Sequence, residues 1–136
     1  MTLPVTAFVA AICALLLLFT AIDTVRQRLR LKAAFGDAGD SKLVSASRSH
    51  GNLAEHAPIV ILLLGFLEMA QANHMGLMVI GAAFLIARVA HIFGLHSVGA
   101  PGKPPVPRQI GVIGTWLTLL ALSGWTLFML ATGNIG

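Results

Sequence analysis

Four long apolar runs, separated by shorter polar stretches, set the pattern of this chain. The first extends from about Leu3 to Ile22 without a charge. The second opens in a polar cluster and continues through Ala57–Leu67 to Glu68 and Ala70. The third covers Met75 to about Leu95 and contains Arg88 and His91, and the fourth runs from Ile110 to about Ala131 with Trp116 and Trp125. Each approaches the ~20 residues that a helix needs to cross a ~30 Å hydrocarbon layer. A helix satisfies its backbone hydrogen bonds within itself, so runs of this length are expected to be membrane helices. The pattern predicts one all-α domain over residues 1–136, an integral membrane four-helix bundle with helices at about 3–25, 47–71, 75–96 and 107–132.

Composition supports this reading. Hydrophobic residues make up 57% of the chain and charged residues only 10%, whereas a soluble domain carries about 25% charged residues. The first run lacks the basic start and small-residue cleavage site of a signal peptide, so it is expected to remain as a span. Arg26, Arg28, Arg30, Lys32, Lys42 and Arg48 lie in or beside the first connection. Lys103 and Arg108 lie in or beside the third, and Arg88 leans toward it. The second connection, around Gln71–His74, has no Lys or Arg. By the positive-inside rule, the first and third loops are cytoplasmic and both termini external. The net charge of +4 thus reports topology and contact with anionic lipid, and nucleic acid is not an expected partner.

Turn residues fill Phe35–Asp40, and Asp40 or Ser41 is placed to cap a helix. The Pro- and Gly-rich stretch from Gly99 to Pro107 is expected to be irregular. Gly76, Gly81, Ala82 and Ala83 on the third span, with Gly111, Gly114 and Gly124 on the fourth, allow helices to approach closely. The single cysteine, Cys13, sits in the first run and is expected to be a packing thiol. The five histidines lack a compact ligand spacing, and no metal site is expected.

Candidate chemistry concentrates where the second span begins, in Arg48-Ser-His50-Gly-Asn52-Leu-Ala-Glu55-His56-Ala-Pro58. Arg48, Asn52 and Glu55 fall on one helical face or its edge. Two readings fit them. They form a site for a zwitterion, with guanidinium on carboxylate, carboxylate on ammonium and amide on a peptide group, or they are an interhelical ion-pair network. Pro58 frees the Ala54 carbonyl and favours a local widening. His56 is either a cavity-lining donor or an interfacial side chain, and His50 points away toward the interface. Arg88 and His91 share a face of the third span, where Arg88 is expected to pair with Glu55 or Glu68. Glu68 otherwise reads as a solvated helix end. Arg28, among the alternating basic residues, and Arg108 either snorkel to headgroups or turn inward to an anion.

These segments together resemble the MAPEG family, the membrane-associated proteins in eicosanoid and glutathione metabolism, and especially its small bacterial inner-membrane members. The resemblance is carried by Val25-Arg26-Gln27-Arg28 with Lys32, Gly36-Asp37 and Leu43. It continues in Arg48-x-His50-Gly51-Asn52-x-x-Glu55-x-x-Pro58, Arg88-x-x-His91-x-x-Gly94, and Arg108 before Thr115-Trp116. It implies a homotrimer that binds glutathione as co-substrate between neighbours, open to the cytoplasm. Arg48, Asn52, Glu55 and His56 would hold the peptide, with Arg28 reaching in from the adjoining subunit and Arg88 and His91 lining the cleft. Arg108 would favour the thiolate, and active members transfer glutathione to lipophilic electrophiles or reduce lipid hydroperoxides. One departure stands out: the chain has no tyrosine, and His56, His91 and Leu95 occupy places where many relatives carry one. The expectation is a glutathione transferase or peroxidase acting on lipophilic small molecules. The alternatives are a non-catalytic ligand-binding or partner-modulating membrane protein and, less favoured because its first span has no glutamate, a small multidrug transporter.

Overall fold

A computed structural model describes residues 2–97 and 103–133 of the chain, so Gly99–Gly102 of the proline-rich connection lie outside the described residues. Four helices make up the bundle: α1 (Pro4–Leu31), α2 (Ser41–Met69), α3 (His74–His96) and α4 (Val106–Thr132). At 1.5 Å per residue they are about 35–44 Å long, enough to cross a ~30 Å hydrocarbon core. All four are apolar enough to span a membrane, and the protein is an all-α integral membrane bundle.

Two helices run further than hydropathy alone predicts. Beyond Ile22, the Arg–Gln–Leu run to Leu31 consists mostly of good helix formers. The helix stops only at Lys32, which turns left-handed and donates its N–H to the carbonyls of Arg28 and Leu29. The second helix begins at Ser41, where the Asp40 carboxylate accepts the Leu43 N–H at 2.9 Å. Asp40 also accepts from Arg30 at 2.7 Å, so one carboxylate caps α2 and ties it to the end of α1.

Burial on α2 falls at Leu53, Ala57, Val60, Leu64 and Leu67, alternating steps of four and three that make one continuous stripe. Val5, Val9 and Cys13 from α1, Leu77 and Phe84 from α3, and Leu122 and Met129 from α4 complete the core. Cys13 is buried there, as a packing thiol should be. The outer surface is apolar too, with Phe8, Phe19, Phe66, Ile86, Phe93, Leu120 and Leu127 all exposed. Such a surface suits lipid and not water. Helices α2 and α3 hold the bundle together, and α1 and α4 make no contact with each other among the described residues.

Close helix approach depends on particular glycines. A Cβ on Gly94 would lie 2.6 Å from the Cα of Arg108, and one on Gly111 would lie 2.7 Å from the Cα of His91. One on Gly114 would press on Ala87, one on Gly81 on Val9, and one on Gly76 on the Trp125 ring. Gly124, by contrast, faces open space, so the small-residue pattern overstates its packing role. The Gly94, Gly111 and Gly114 contacts bring α3 and α4 together at the end of the bundle where the site lies.

Glu68 has a structural task that its sequence context does not reveal. Its carboxylate accepts the N–H groups of Val5 and Thr6 at 2.9 and 2.8 Å, and the Thr6 hydroxyl at 2.7 Å. The first N–H groups of any helix lack intrahelical acceptors. A carboxylate borrowed from α2 supplies them here and complements the positive end of the helix dipole.

Candidate functional site

The start of α2, the end of α3 and the start of α4 enclose a cleft of ≈200 Å³. Arg48, Asn52 and His56 line it from α2, Arg88, His91 and Leu95 from α3, and Arg108, Val112, Thr115 and Trp116 from α4. The helical repeat explains the α2 set. Positions 48, 52 and 56 advance by four residues, about 40° per step at 100° per residue, so they form a slowly turning row.

Arg88 is the central fixed charge, only 2% exposed. Its Nη1 donates to Asn52 Oδ1 at 2.5 Å, and its Nη2 donates to the Gly111 carbonyl at 2.8 Å and to Thr115 Oγ1. The Thr115 hydroxyl itself donates to the Gly111 carbonyl at 2.8 Å, which leaves its oxygen free to accept from Arg88. The guanidinium also lies 5.7 Å from the centre of the Phe84 ring, within cation–π range. One buried cation thus ties α2, α3 and α4 together.

This corrects the expected ion pair. Arg88 meets neither Glu55 nor Glu68: the ion pairs among the described residues are Arg30–Asp40 and His96–Asp23. Glu68 is committed to α1. Glu55 stands three residues from Asn52, about 60° around the helix; it is exposed and lies outside the cleft lining. Buried guanidiniums are ordinarily neutralised by a carboxylate, but here neutral oxygens take the two Nη groups and Nε is buried without a partner among the described residues.

The bond to Arg88 also orients Asn52. Arginine only donates, so the amide oxygen must face it. The amide NH2 has no acceptor among the described residues and is not buried. Arg48 and Arg108 are exposed at the cleft, and their side chains make no ion pair or hydrogen bond within the described residues. His91 is buried with Nδ1 unpartnered. Three guanidiniums therefore converge on one cleft that no carboxylate lines, an arrangement complementary to an anion.

The structure brings together Arg48, Asn52, His56, Arg88, His91 and Arg108, but not Arg28 or Glu55. Arg28 donates to the carbonyls of Ala34 and Gly36 at 3.3 and 3.1 Å and so braces the α1–α2 connection. His50 also points away from the cleft, with Nδ1 3.1 Å from Thr20 Oγ1. Since that hydroxyl donates to the carbonyls of Leu16 and Leu17, His50 is the donor and links α2 to α1. Thr115 is the cleft residue whose role sequence reasoning missed. Its only signal is a place beside Trp116 in the matched pattern, since a threonine in an apolar run usually bonds back to its own helix.

A four-helix integral membrane protein with an arginine-lined cleft between α2, α3 and α4 is the class that this fold and site define. Within that class the chain belongs to the MAPEG family, whose model matches residues 6–128. It is 37% identical over 118 residues to Inner membrane protein YecN of Escherichia coli (strain K12), a match covering 87% of this chain and 86% of that protein. The protein of the same name from the O6:H1 strain of Escherichia coli matches to the same extent. No solved structure matches the chain significantly.

Proposed function

We propose that the protein binds glutathione in the Arg48–Arg88–Arg108 cleft and transfers it through its thiol to lipophilic electrophiles, or uses it to reduce lipid hydroperoxides, at the bacterial inner membrane. The carrying observation is the unbalanced charge of the cleft: three guanidiniums, two without an ion pair or hydrogen bond among the described residues, and an amide turned to donate, with no carboxylate among the described lining residues. Glutathione supplies two carboxylates and peptide carbonyls to such donors, and its thiolate is stabilised by a nearby guanidinium such as Arg108. Membership in the MAPEG family supports this ligand, and the name of the YecN relatives supports the location.

The size of the cleft bears on assembly. At ≈200 Å³ it falls below the about 300–1,000 Å³ of sites that enclose a small molecule. Glutathione would extend past this chain's own walls, toward exposed Glu55 on one subunit and Arg28 on the next. A homotrimer with shared sites, as the family resemblance implies, meets that need, and Glu55 would then receive the ammonium group. The basic residues orient the cleft toward the cytoplasm, where glutathione is dissolved. A groove of ≈630 Å³ shares Arg108 and Val112 with the cleft and includes Ile113. It offers an apolar approach for the second substrate. Glutathione should raise the melting temperature of the detergent-purified protein by linkage, and Arg48→Ala should abolish the shift. A turnover assay with electrophiles and hydroperoxides then separates an enzyme from a non-catalytic binder.

A further inference from the structure

We infer that His56 is a proton acceptor for the thiol, with a bare Nε2 presented to the cleft. The inference rests on the glutathione reading above and assigns a step within it.

It begins with the tautomer. His56 Nδ1 lies 2.7 Å from the carbonyl oxygen of Asn52, one turn back on the same helix. A carbonyl oxygen only accepts, so Nδ1 must carry the hydrogen. In the neutral ring the proton is then absent from Nε2, which becomes an acceptor. His56 is half-buried and lines the cleft, its Nε2 has no partner among the described residues, and that atom is not sealed from the cleft.

The surroundings make this acceptor unusual. Arg48 from the same helix, Arg88 from α3 and Arg108 from α4 can only donate, and the same holds for the Trp116 ring nitrogen. Asn52 offers its NH2 because Arg88 holds its oxygen. Thr115 is occupied with Arg88 and the Gly111 carbonyl. His91 is the other titratable group of the lining, 5% exposed; its ring is hydrogen-bonded to the Arg108 backbone, and its unpartnered Nδ1 is buried. Helix α1 contributes no residue to the cleft. Of the lining side chains, His56 alone has an acceptor nitrogen that is both fixed by a hydrogen bond and open to the cleft.

The step balances without a further reagent. The S–H bond of glutathione breaks, the proton passes to Nε2 and the electron pair stays on sulfur. The imidazolium then carries hydrogen on both nitrogens and keeps its bond to the Asn52 carbonyl, so the ring need not turn. The thiolate, beside Arg108, attacks an electrophilic carbon, and the displaced group leaves with the bonding pair. Nε2 returns its proton to that group or to water. Positioned general bases of this kind contribute about 10²–10⁴-fold to rate.

The test uses detergent-purified wild type, His56→Gln and His56→Ala, with glutathione and a lipophilic aryl halide. His56→Gln should keep the glutathione-induced thermal shift but lose about 10²-fold or more in kcat at pH 7. Its rate should keep climbing toward the ordinary thiol range near about pH 8.5, where the wild type has already levelled. Added imidazole should restore part of the His56→Ala rate and leave the wild type unchanged, an effect no structural role explains. If the wild type turns over and His56→Gln keeps its rate within twofold with the same pH profile, the inference is overturned while the glutathione reading stands. If the wild type shows no thermal shift with glutathione, the reading fails and the inference with it. A shift without turnover overturns the base alone.

Discussion

Replacing Gly94 by alanine should disable the site from outside its lining. The added Cβ would lie 2.6 Å from the Arg108 Cα and 2.7 Å from the Arg108 Cβ. Carbon atoms in contact prefer about 3.5–4.0 Å, so α3 and α4 must separate by roughly 1 Å at this level. The obstacle is backbone, which cannot rotate aside like a side chain. Forced overpacking of this sort costs about 1–3 kcal/mol, and a shift near 1 Å is enough to misplace Arg108 for a reacting sulfur. Gly124→Ala is the control, because that position faces open space. It should be neutral or gain up to about 1 kcal/mol from the better helix propensity of alanine. Thermal denaturation in detergent, followed by circular dichroism, reads both. Gly94→Ala should melt several degrees lower than wild type and bind glutathione more weakly, while Gly124→Ala should melt at or above wild type and bind as well. A Gly94→Ala protein with wild-type melting and affinity would refute the claim that this crossing positions Arg108.

Other substitutions probe separate joints. Glu68→Ala removes three hydrogen bonds from the start of α1 and should cost about 2 kcal/mol of stability, somewhat more than an ordinary cap; unchanged melting would refute its capping role. Asn52→Asp preserves an oxygen for Arg88 but presents an acceptor to the cleft, so the fold should persist while glutathione affinity falls at least about tenfold, roughly 1.4 kcal/mol, as measured by titration calorimetry. The Arg30 guanidinium, then the Leu43 N–H, hold the Asp40 carboxyl below its ordinary range. That contribution is complete above the unfolded value of about 3.9 and is lost as pH falls through the lower folded value. In Arg30→Ala the carboxyl titration of Asp40 should move up toward its ordinary value, and an unmoved titration would contradict the pairing.

Much of this architecture is legible in the chain because hydropathy and helix geometry act over short distances. The uncharged Leu3–Ile22 run, the Asp40 cap and the Pro58-bearing second span can all be read locally. The helical repeat puts Arg48 and Asn52 on one face, but it admits Glu55 and His56 equally. What fails is whatever depends on the rotation of one helix against another. Arg88 was expected to find a carboxylate, but the face of α2 turned toward it carries Asn52, with Glu55 about 60° away. Glu68 reads as a helix end until α1 is seen to place Val5 and Thr6 beside it. Thr115 looks like an ordinary threonine in an apolar run until the glycines let α4 close on α3. Composition alone does not separate Gly94, pressed on Arg108, from Gly124, where an added Cβ would meet nothing within 4 Å. Arg28, assigned to the site by resemblance, and Glu55, placed there by its helical spacing from Arg48 and Asn52, lie outside the cleft of a single chain.

The most direct measurement is calorimetric titration of glutathione into the detergent-purified protein, beside an Arg48→Ala, Arg108→Ala double variant. The charge pattern of the cleft predicts saturable binding by the wild type and none by the variant. An absence of both heat and thermal stabilisation in the wild type at about 10 mM glutathione, where any useful affinity must register by linkage, would contradict it.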